Sequence, residues 1–377
     1  MIPVTLVMDT LTVGGAEQAL ANMLASLDRA RFRPSVICLR SAGPLAAEYR
    51  SRGIPVEVLG RRGPSHWGTI TVLVARLRAL GTRVVLLFSH QAPLVFGRIA
   101  ARRVGAATVV AVHGMDGLED GEPNIPRFAR HTSPLTDVVV VLAQSQLNYM
   151  REREGFGNGR LSTNRVVEIP NGVRLPDAPN PARRTHARSA LGLASDAVVV
   201  GIVAALRPEK AHELLIGAFA AAGAARSNLH LAIVGGGERE AQLRDLASTT
   251  GVHDRIHFLG TRHDVGDLLP GFDIFCLTSR REALPLSILE AMGAGLPIVS
   301  TDVGAIRDVV RDATDGFLVP NGDQRTLAER IGQLADDEAL RQRMGSHGRA
   351  RVAEHFTIET VVRRYEELFT ELSGARR

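Results

Sequence analysis

Asp273-Ile-Phe-Cys-Leu-Thr278, followed closely by Glu282-Ala-Leu-Pro-Leu-Ser-Ile-Leu-Glu290, is the stretch that says most about the fold and chemistry of this chain. The first run is typical of a buried strand, and the second predicts a loop that leads into a helix. Pro285 suits a first helical position, because its missing N–H would lack an intrahelical partner there anyway. Eight helical residues turn the chain by about two turns plus 80°. Glu282 and Glu290 therefore cannot share one helical face, and we expect the loop to place Glu282.

The start of this helix is a predicted phosphate-binding site. The backbone N–H groups near Leu286 and Ser287 lack intrahelical partners and point outward from the helix end. A phosphate-binding site with two carboxylates nearby can hold a phosphate and hydroxyl groups together. A nucleotide-sugar offers both groups, so it is the class of ligand that this segment predicts.

The second indication is a single lysine. Of the 45 Lys and Arg residues, only Lys210 is a lysine. An ammonium is a compact point charge, unlike the planar guanidinium fork. Residues 197–206 predict a buried parallel strand, and Arg207-Pro-Glu-Lys210 follows as a loop at the edge where open α/β sheets bind ligands. Arg207 and Lys210 are therefore predicted to face a diphosphate; the alternative is two solvated surface charges.

Length and composition set the class of protein. A chain of 377 residues predicts two domains, and 45% hydrophobic with 23% charged residues is typical of a soluble globular protein. No apolar run reaches the roughly 18 residues that a membrane span needs, and residues 1–8 predict a first strand rather than a signal peptide. Cys38 and Cys276 are predicted to be buried thiols in a reducing, cytoplasmic compartment. The aromatic content of 4% argues against nucleic acid as a partner.

The positive charge is concentrated in the first half of the chain. Residues 1–172 contain 20 Arg against 13 Asp and Glu, and Arg98, Arg102 and Arg103 belong to one predicted helix. Such a half fits an anionic membrane surface or an anionic acceptor. It fits an ordinary solvated surface equally well.

Strand and helix patterns alternate from residue 3 to about 169 and again from 197 to 335. This alternation predicts two Rossmann-like units with parallel sheets. Residues 171–189, rich in Pro, Asn and Arg, are interpreted as the junction. The predicted domains are residues 1–172, residues 190–355, and an amphipathic C-terminal helix in 356–377 that packs back on the first domain.

Two glycine clusters precede predicted helices. Gly14-Gly15 follows the first strand, and Gly235-Gly236-Gly237 follows the strand His230-Leu-Ala-Ile-Val234. Glycines at a helix start let the backbone approach a ligand closely. Neither cluster is a complete dinucleotide-binding fingerprint, and each alone fits a tight turn without a ligand about as well.

Together these residues resemble the glycosyltransferase family 4 group, retaining enzymes of the GT-B fold, in which two Rossmann-like doubly wound domains face a central cleft. Glu282 to Glu290 is similar to the two-glutamate motif of the family, and Arg207 with Lys210 is similar to its diphosphate-binding pair, although Ala211 stands where a glycine is usual. Shorter resemblances are Gly14-Gly15-Ala16-Glu17, Val109 to His113-Gly114, Ile169 to Val173, and Gly260 with Asp264-Val265.

The resemblance implies a role for each of these residues. Glu290 would bond the ribose hydroxyls of the donor, and Glu282 the hydroxyls of the transferred sugar. Arg207 and Lys210 would stabilise the charge that grows on the leaving diphosphate. The catalytic residues so implied are Glu282, His113, Arg207 and Lys210, and the donor-binding residues are Gly14, Gly15, Gly235, Val265, Leu286, Ser287 and Glu290. His113 would contact the sugar; its alternative is a hydrogen-bonded histidine at a strand end.

The implied activity is retaining transfer of a sugar to a glycan, lipid-linked or small-molecule acceptor in polysaccharide or glycoconjugate synthesis. The resemblance implies a UDP or GDP donor, no metal ion and no cofactor, and a cytoplasmic enzyme, peripheral at the inner face of the cell membrane. Two alternatives remain open. A nucleotide-sugar epimerase of similar architecture would need added acid/base carboxylates. A non-catalytic nucleotide-sugar-binding subunit would not need Glu282, Glu290, Arg207 and Lys210 all intact.

Overall fold

The computed structural model describes residues 1–12, 14–60, 68–88, 92–114, 127–154, 156, 165–194 and 196–375. Over these ranges the chain forms two compact units, Met1–Gly172 together with Ile358–Arg377, and Val173–Thr357. Each unit is built on one parallel β-sheet, of seven strands in the first and six in the second. This architecture confirms the prediction of two Rossmann-like, doubly wound α/β domains.

The first unit alternates strands and helices along the chain. Its elements are β1 (Ile2–Thr10), α1 (Gly15–Ser26), β2 (Phe32–Ser41), α2 (Ala46–Ser51), β3 (Val56–Val58), α3 (Gly68–Ala79), β4 (Val84–Phe88), α4 (Arg98–Val104), β5 (Ala107–Val112), α5 (Arg127–Arg130), β6 (Val138–Val141), α6 (Gln144–Glu152) and β7 (Arg165–Glu168). The strand order is β3-β2-β1-β4-β5-β6-β7. Alternate residues of β1 enter two different core clusters, since Leu6 and Met8 belong to one and Val7 to the other.

The second unit repeats the alternation. Its elements are α7 (Pro181–Leu191), β8 (Val198–Val203), α8 (His212–Gly223), β9 (Leu229–Val234), α9 (Glu240–Ser248), β10 (Ile256–Phe258), α10 (Val265–Leu268), β11 (Ile274–Leu277), α11 (Leu286–Gly293), β12 (Ile298–Thr301), α12 (Ile306–Val309), β13 (Gly316–Val319), α13 (Gln324–Asp336) and α14 (Glu338–His355). The strand order is β10-β9-β8-β11-β12-β13. Every residue of β11 and β12 is buried, as expected for central parallel strands with both faces covered.

The last helix, α15 (Ile358–Gly374), belongs to the first unit. Its apolar stripe, which includes Ile358, Tyr365 and Phe369, is buried in the core cluster that also contains Leu6 and Met8 of β1. Phe369 makes an edge contact with Phe32, with ring centroids 6.3 Å apart. The amphipathic pattern of the tail therefore serves to cover one face of the first sheet.

Two helices depart from the sequence predictions. Residues 181–191, interpreted as part of a junction, form α7. Asn180 accepts a hydrogen bond from the Ala182 N–H (2.8 Å) and Pro181 occupies the first turn. Arg188 of this helix is buried and binds Asp273 at 2.5 Å, so part of the arginine-rich composition serves packing rather than solvation. The part of the predicted junction from residue 181 to 189 is therefore helical.

Helix α14 was not predicted. It contains Gly345 and Gly348, which weaken the helical signal of the sequence. In the fold these glycines are buried, and a Cβ on Gly345 would overlap the carbonyl oxygen of Gly295, while one on Gly348 would lie 3.5 Å from Met292 of α11. Close approach of the backbone just after α11 explains the glycine at 345, whereas at 348 a Cβ would make an ordinary contact with Met292.

Arg98 corrects the prediction of a basic surface on α4. Its side chain is fully buried, and its Nη1 donates to the carbonyl oxygen of Ala129 at 2.7 Å and to Thr132 Oγ1 at 3.1 Å. Burial lowers the pKa of this guanidinium to about 10. Arg102 and Arg103 are exposed, as predicted. Within the described ranges, no helix combines the length and apolar character that a membrane span needs.

Candidate functional site

The order of the second sheet reverses direction at β8 and β11, which are neighbours at its centre. In open α/β sheets, ligands bind beyond the carboxyl ends of the strands at this reversal, because the two following loops diverge there and leave a crevice. The loop after β8 carries Arg207 and Lys210, and the loop after β11 carries Glu282. The predicted residues therefore meet at the position that the topology favours for a ligand.

The loop after β8 is a short, fully defined turn. Arg207 precedes a 3₁₀ turn over Pro208–Lys210, in which the Lys210 N–H donates to the Arg207 carbonyl oxygen at 3.1 Å. Ala211 then takes the left-handed conformation, with φ 46° and ψ 46°. This conformation costs a non-glycine residue about 1–2 kcal/mol, so Ala211 is held in a strained backbone conformation.

Lys210 and Glu282 are in direct contact across the two loops. Lys210 Nζ lies 2.5 Å from Glu282 Oε1, and the Glu282 side chain is only 8% exposed. Ser279 Oγ donates to the same oxygen at 2.6 Å. Water is largely excluded from this pair, so the attraction is stronger than in a surface ion pair, although desolvation offsets part of the gain.

Hydrogen bonds join the two loops beyond this ion pair. Thr278 Oγ1 donates to the carbonyl oxygens of Lys210 at 3.2 Å and Ala211 at 3.1 Å. The Arg280 N–H donates to the carbonyl oxygen of Glu209 at 2.8 Å. The separation of Lys210 from Glu282 is therefore fixed by backbone as well as by side chains.

Gly304, after β12, supports the Glu282 loop from the other side. It has φ 56°, and a Cβ at this position would overlap the carbonyl oxygen of Glu282. The Ala305 N–H donates to the carbonyl oxygen of Ala283 at 3.2 Å. Only glycine allows both the left-handed conformation and this close backbone approach.

Helix α11 begins at Leu286, one residue later than its proline suggested. Pro285 has ψ 124° and is the N-cap, so the prediction that it occupies the first helical position was off by one residue. Leu286 and Ser287 lie in the first turn, where N–H groups have no intrahelical acceptor. An anion can bind at such a helix start.

Glu290 lies in the second turn of α11 and differs from Glu282. Burial raises the pKa of its carboxyl group from 4.5 to about 7. Burial without a compensating charge favours the protonated form. Hydroxyl groups of a ligand that donate to this carboxylate would favour the ionised form instead.

The glycine run after β9 packs against the loop that leads to Lys210. Gly235 has φ 148°, and a Cβ on it would overlap the carbonyl oxygen of Ala204. The Leu206 N–H donates to the Gly236 carbonyl oxygen at 3.0 Å, and the Gly235 N–H donates to that of Gly260 at 2.9 Å. The close approach that these glycines permit is to the protein's own backbone. Val265, after Gly260, begins α10.

In the first unit, the predicted residues lie at the carboxyl ends of β1 and β5. Gly14 is the N-cap of α1 and Gly15 its first residue. A Cβ on Gly14 would lie 2.5 Å from Glu17 Oε2. Glu17 is buried, and its other carboxylate oxygen accepts a hydrogen bond from Thr12 Oγ1.

His113 follows β5. Its ring packs against Phe88, with centroids 5.6 Å apart, and both ring nitrogens are buried without a hydrogen-bond partner among the described residues. Burial lowers the pKa of His113 to about 4, so the imidazole is neutral near pH 7. Gln146 holds the neighbouring backbone, because its Nε2 donates to the carbonyl oxygens of Val112 and Gly114 at 3.1 and 2.7 Å. The alternative prediction was a histidine that is hydrogen-bonded at the end of a strand. Among the described residues, no donor or acceptor for such a bond contacts His113.

The structure thus brings Lys210 into contact with Glu282 and places Arg207 in the same loop. Sequence reasoning missed Ser279, Thr278 and Gly304, all of which hold that contact. The available signal was positional, since Thr278 and Ser279 directly follow the strand that precedes Glu282, and Gly304 follows the next strand.

Two family models match the chain. Glycosyltransferase Family 4 matches residues 13–176, and Glycosyl transferases group 1 matches residues 183–351. A GDP-mannose-dependent monoacylated alpha-(1-6)-phosphatidylinositol monomannoside mannosyltransferase of Corynebacterium glutamicum is 31% identical over 285 residues, 72% of each chain. An exopolysaccharide phosphotransferase of Streptomyces coelicolor is 31% identical over 330 residues, and this chain spans about a third of its length.

Solved structures share the fold over nearly the whole chain. Anabaena HepE in complex with UDP-glucose has a TM-score of 0.84 at 23% identity, covering 98% of this chain and all of that one. Sucrose-phosphate synthase from Thermosynechococcus elongatus has a TM-score of 0.79 at 19% identity, with both chains fully covered. The two parallel-sheet domains therefore have the GT-B architecture.

Proposed function

The chain belongs to the group 1 and family 4 glycosyltransferases of the GT-B type, and from that premise we propose that it transfers a sugar from a nucleotide-sugar donor to an acceptor in polysaccharide or glycoconjugate synthesis. In this proposal the second unit binds the donor and the first binds the acceptor. The proposed acceptor is a glycan, a lipid-linked sugar or a small molecule, and the proposed site is cytoplasmic.

The contact between Lys210 and Glu282 is the observation that carries the proposal. It sets a cation and a carboxylate 2.5 Å apart at the reversal of the sheet, immediately before the start of α11. Lys210 and the N–H groups at the start of α11 can bind a diphosphate, and the carboxylate of Glu282 can accept a hydrogen bond from a sugar hydroxyl. One nucleotide-sugar satisfies all three together.

During transfer, the bond between the anomeric carbon and the diphosphate oxygen breaks, and its electron pair stays on the diphosphate. The acceptor hydroxyl oxygen forms the new bond to the anomeric carbon, and its proton passes to the leaving diphosphate. Lys210, the exposed Arg207 and the N–H groups of Leu286 and Ser287 stabilise that growing negative charge. Glu282 accepts hydrogen bonds from the sugar hydroxyls and keeps the anomeric carbon in place. Because these groups already supply positive charge at the diphosphate, we propose a reaction without a metal ion or a cofactor.

The nucleoside part has its own proposed contacts. Glu290 accepts hydrogen bonds from the ribose hydroxyls, and Gly235 and Val265 lie on the loops that approach the nucleotide. UDP or GDP is the proposed donor nucleotide. From the first unit, His113 contacts the sugar as a neutral imidazole, and Gly14 and Gly15 allow the backbone to approach the donor.

A panel of donors tests the function. Purified protein is screened with UDP-, GDP- and ADP-sugars by thermal shift, and each stabilising donor is then followed for release of free sugar. Slow hydrolysis of one donor is expected, because a transferase without acceptor passes sugar to water. Conversion of the sugar to its epimer would instead indicate an epimerase, and binding without any turnover would indicate a non-catalytic subunit.

Retention of configuration is tested separately. The first-formed product is observed by proton NMR before the released sugar equilibrates in water. The same anomer as in the donor is expected, and the opposite anomer would overturn the retaining assignment while leaving the transferase assignment in place.

A peripheral contact with anionic membrane is proposed on narrower grounds. Arg102 and Arg103 are exposed on α4, and Arg78 of α3 reaches the Arg103 carbonyl oxygen at 3.5 Å. Each basic residue near an anionic surface contributes about 1 kcal/mol, screened by salt. We expect salt-sensitive binding to phosphatidylserine-containing vesicles that falls when these three arginines become glutamine.

The matched control replaces three exposed arginines of the second unit, Arg244, Arg325 and Arg343, by glutamine. Equal loss in both sets would indicate a net-charge effect only. If the unaltered protein ignores anionic vesicles at low salt, a water-soluble acceptor is the better proposal.

A further inference from the structure

Four hydroxyl side chains form a buried layer at the carboxyl ends of β11 and β12: Thr278, Ser279, Ser300 and Thr301. Three of them donate to backbone carbonyl oxygens, as strand-end hydroxyls commonly do. Thr278 donates to the Lys210 and Ala211 carbonyls, Ser300 to that of Leu277 at 2.8 Å, and Thr301 to that of Ser279 at 2.5 Å. Ser279 differs from the other three, because its hydroxyl donates to the carboxylate of Glu282.

The bond from Ser279 distinguishes the two oxygens of Glu282. Oε1 accepts from both Ser279 and Lys210, at 2.6 and 2.5 Å. Among the described residues, nothing donates to Oε2. One oxygen of the carboxylate is thus held by the protein, and the other remains available to a ligand.

Ser279 is also the better fixed of the two donors. It is fully buried, it has a single side-chain torsion, and Thr301 holds its carbonyl oxygen. Lys210 has a long, flexible side chain that is 23% exposed. When a diphosphate is bound, its ammonium also contacts the diphosphate. A short donor on a rigid strand end holds its acceptor more accurately than a flexible one.

We propose that Ser279 is a positioning residue of the transfer reaction, holding Oε1 of Glu282 so that Oε2 faces the donor sugar while Lys210 engages the diphosphate. This inference rests on the proposed function and adds to it a residue outside the contact with the ligand. Ser279 affects the step in which the anomeric bond breaks, through the orientation of Glu282, and leaves nucleotide binding to other groups.

The test compares three variants of the full chain. Ser279→Ala removes the donor, and Ser279→Cys keeps nearly the same volume with only a weak donor. Ser300→Ala is the matched control, because Ser300 is equally buried in the same layer but does not contact Glu282. The measurements are kcat for donor hydrolysis or transfer, Kd for free UDP or GDP, and the melting temperature.

Ser279→Ala and Ser279→Cys are expected to lower kcat about tenfold to a hundredfold, as for loss of a hydrogen bond to a charged group. Their Kd for nucleoside diphosphate should stay within about twofold of the unaltered protein, and Ser300→Ala should keep near-normal kcat. If both Ser279 variants match Ser300→Ala, the inference is wrong. If Ser279→Cys is fully active and Ser279→Ala loses kcat, affinity and melting temperature together, Ser279 is only structural and the inference is wrong as well.

The inference and the function on which it rests fail in different ways. A protein that turns over none of the donors it binds contradicts the transferase assignment before any variant is made. Once turnover of the unaltered protein is established, only the Ser279 variants decide the role of Ser279.

Discussion

The carboxyl edges of the two sheets are organised differently. At the second edge, candidate residues on separate loops contact one another, through the pair Lys210–Glu282 and the clamp of Thr278 on the backbone of Lys210. At the first edge, each candidate residue contacts only residues close to it. Gln146 donates to the carbonyl oxygen of Gly114, next to His113, and the Glu17 side chain lies close to Gly14. Over the described residues, no hydrogen bond joins one candidate of the first unit to another.

This difference separates a candidate site whose groups contact one another from a candidate site whose groups do not. In the second unit, contacts between the two loops fix the spacing between a cation and a carboxylate, which under the proposed function fits the diphosphate and the sugar of a donor. In the first unit, a neutral imidazole with unsatisfied nitrogens is held in a fixed backbone frame. Among the described residues these nitrogens have no partner, which under the proposed function fits a unit whose ligand varies.

The largest expected effect comes from breaking the linked pair. Lys210→Ala should lower turnover of the donor by about 10²–10³-fold, because it removes a preorganised cation from the leaving diphosphate. The circular dichroism spectrum should be unchanged, since Ser279 still donates to Glu282 when the ammonium is removed. Lys210→Arg should recover part of the turnover. Near-normal turnover in Lys210→Ala would rule out the diphosphate role.

A second prediction compares a glycine at each edge. Gly304→Ala should destabilise the protein by about 2 kcal/mol or more and lower turnover, because φ 56° penalises a side chain and the Cβ overlaps the rigid carbonyl of Glu282. Gly14→Ala should cost under about 1 kcal/mol, because its Cβ meets the movable end of the Glu17 side chain. Urea denaturation measures both free energies of unfolding, and equal losses would contradict this account of the two edges.

A third prediction uses pH to examine Glu290. Its folded pKa of about 7 exceeds the unfolded value of 4.5, so the stability it contributes is complete below pH 4.5 and is lost as pH rises through 7. Ribose hydroxyls favour the ionised form. The affinity for UDP or GDP should therefore rise as pH increases from 6 to 8, by at most about tenfold per unit.

Glu290→Gln is the control for this pH dependence. The variant should bind nucleoside diphosphate more weakly and lose the part of the pH dependence that does not come from the phosphates themselves. Glu282→Gln should retain that dependence and lose turnover instead. Calorimetric titration at several pH values measures both, and an identical pH profile in Glu290→Gln and unaltered protein would exclude Glu290 from nucleotide binding.

The smallest effect is expected at Ala211. Ala211→Gly should stabilise the protein by up to about 1 kcal/mol, since relief of the left-handed strain outweighs the added freedom of the unfolded chain. Ala313, at φ 58°, gives a matched control outside the Lys210 loop. If Ala211→Gly lowers the melting temperature while Ala313→Gly raises it, then the buried methyl group of Ala211 matters more than the strain.

The sequence predicted the parts of the fold that have strong periodicity. Buried strands alternating with helices specified two parallel sheets, and the amphipathic tail specified α15. Helix α14 was missed because its two glycines weaken the helical pattern, and the close backbone approach that requires one of them, Gly345, is not visible in the local sequence. Arg98 was assigned to the surface because charge predicts exposure, whereas its neighbours at residues 129–132 bury it.

The candidate site likewise contains residues that the sequence predicted and residues that it did not. Glu282, Lys210 and Arg207 were predicted as site residues because each stands out in its own segment, by spacing, by rarity or by position after a strand. Thr278 bonds to the Lys210 loop because β11 lies beside β8, and Gly304 supports the Glu282 loop because β12 lies beside β11; both contacts depend on the strand order. The strand order cannot be read from the spacing of residues along the sequence. Residues that support a site from a neighbouring strand are therefore the ones that the sequence does not predict.

The single lysine has a practical consequence for chemical labelling. The 377 residues contain one ε-amino group, and its side chain is 23% exposed, beside Glu282. An amine-selective acylating reagent therefore has one side-chain target, while the 44 guanidinium groups remain unmodified. Such a reagent also acylates the α-amino group of Met1, so peptide mapping would identify the fraction of label on Lys210. If a bound nucleotide protects Lys210 from the reagent, the nucleotide binds at the loop after β8.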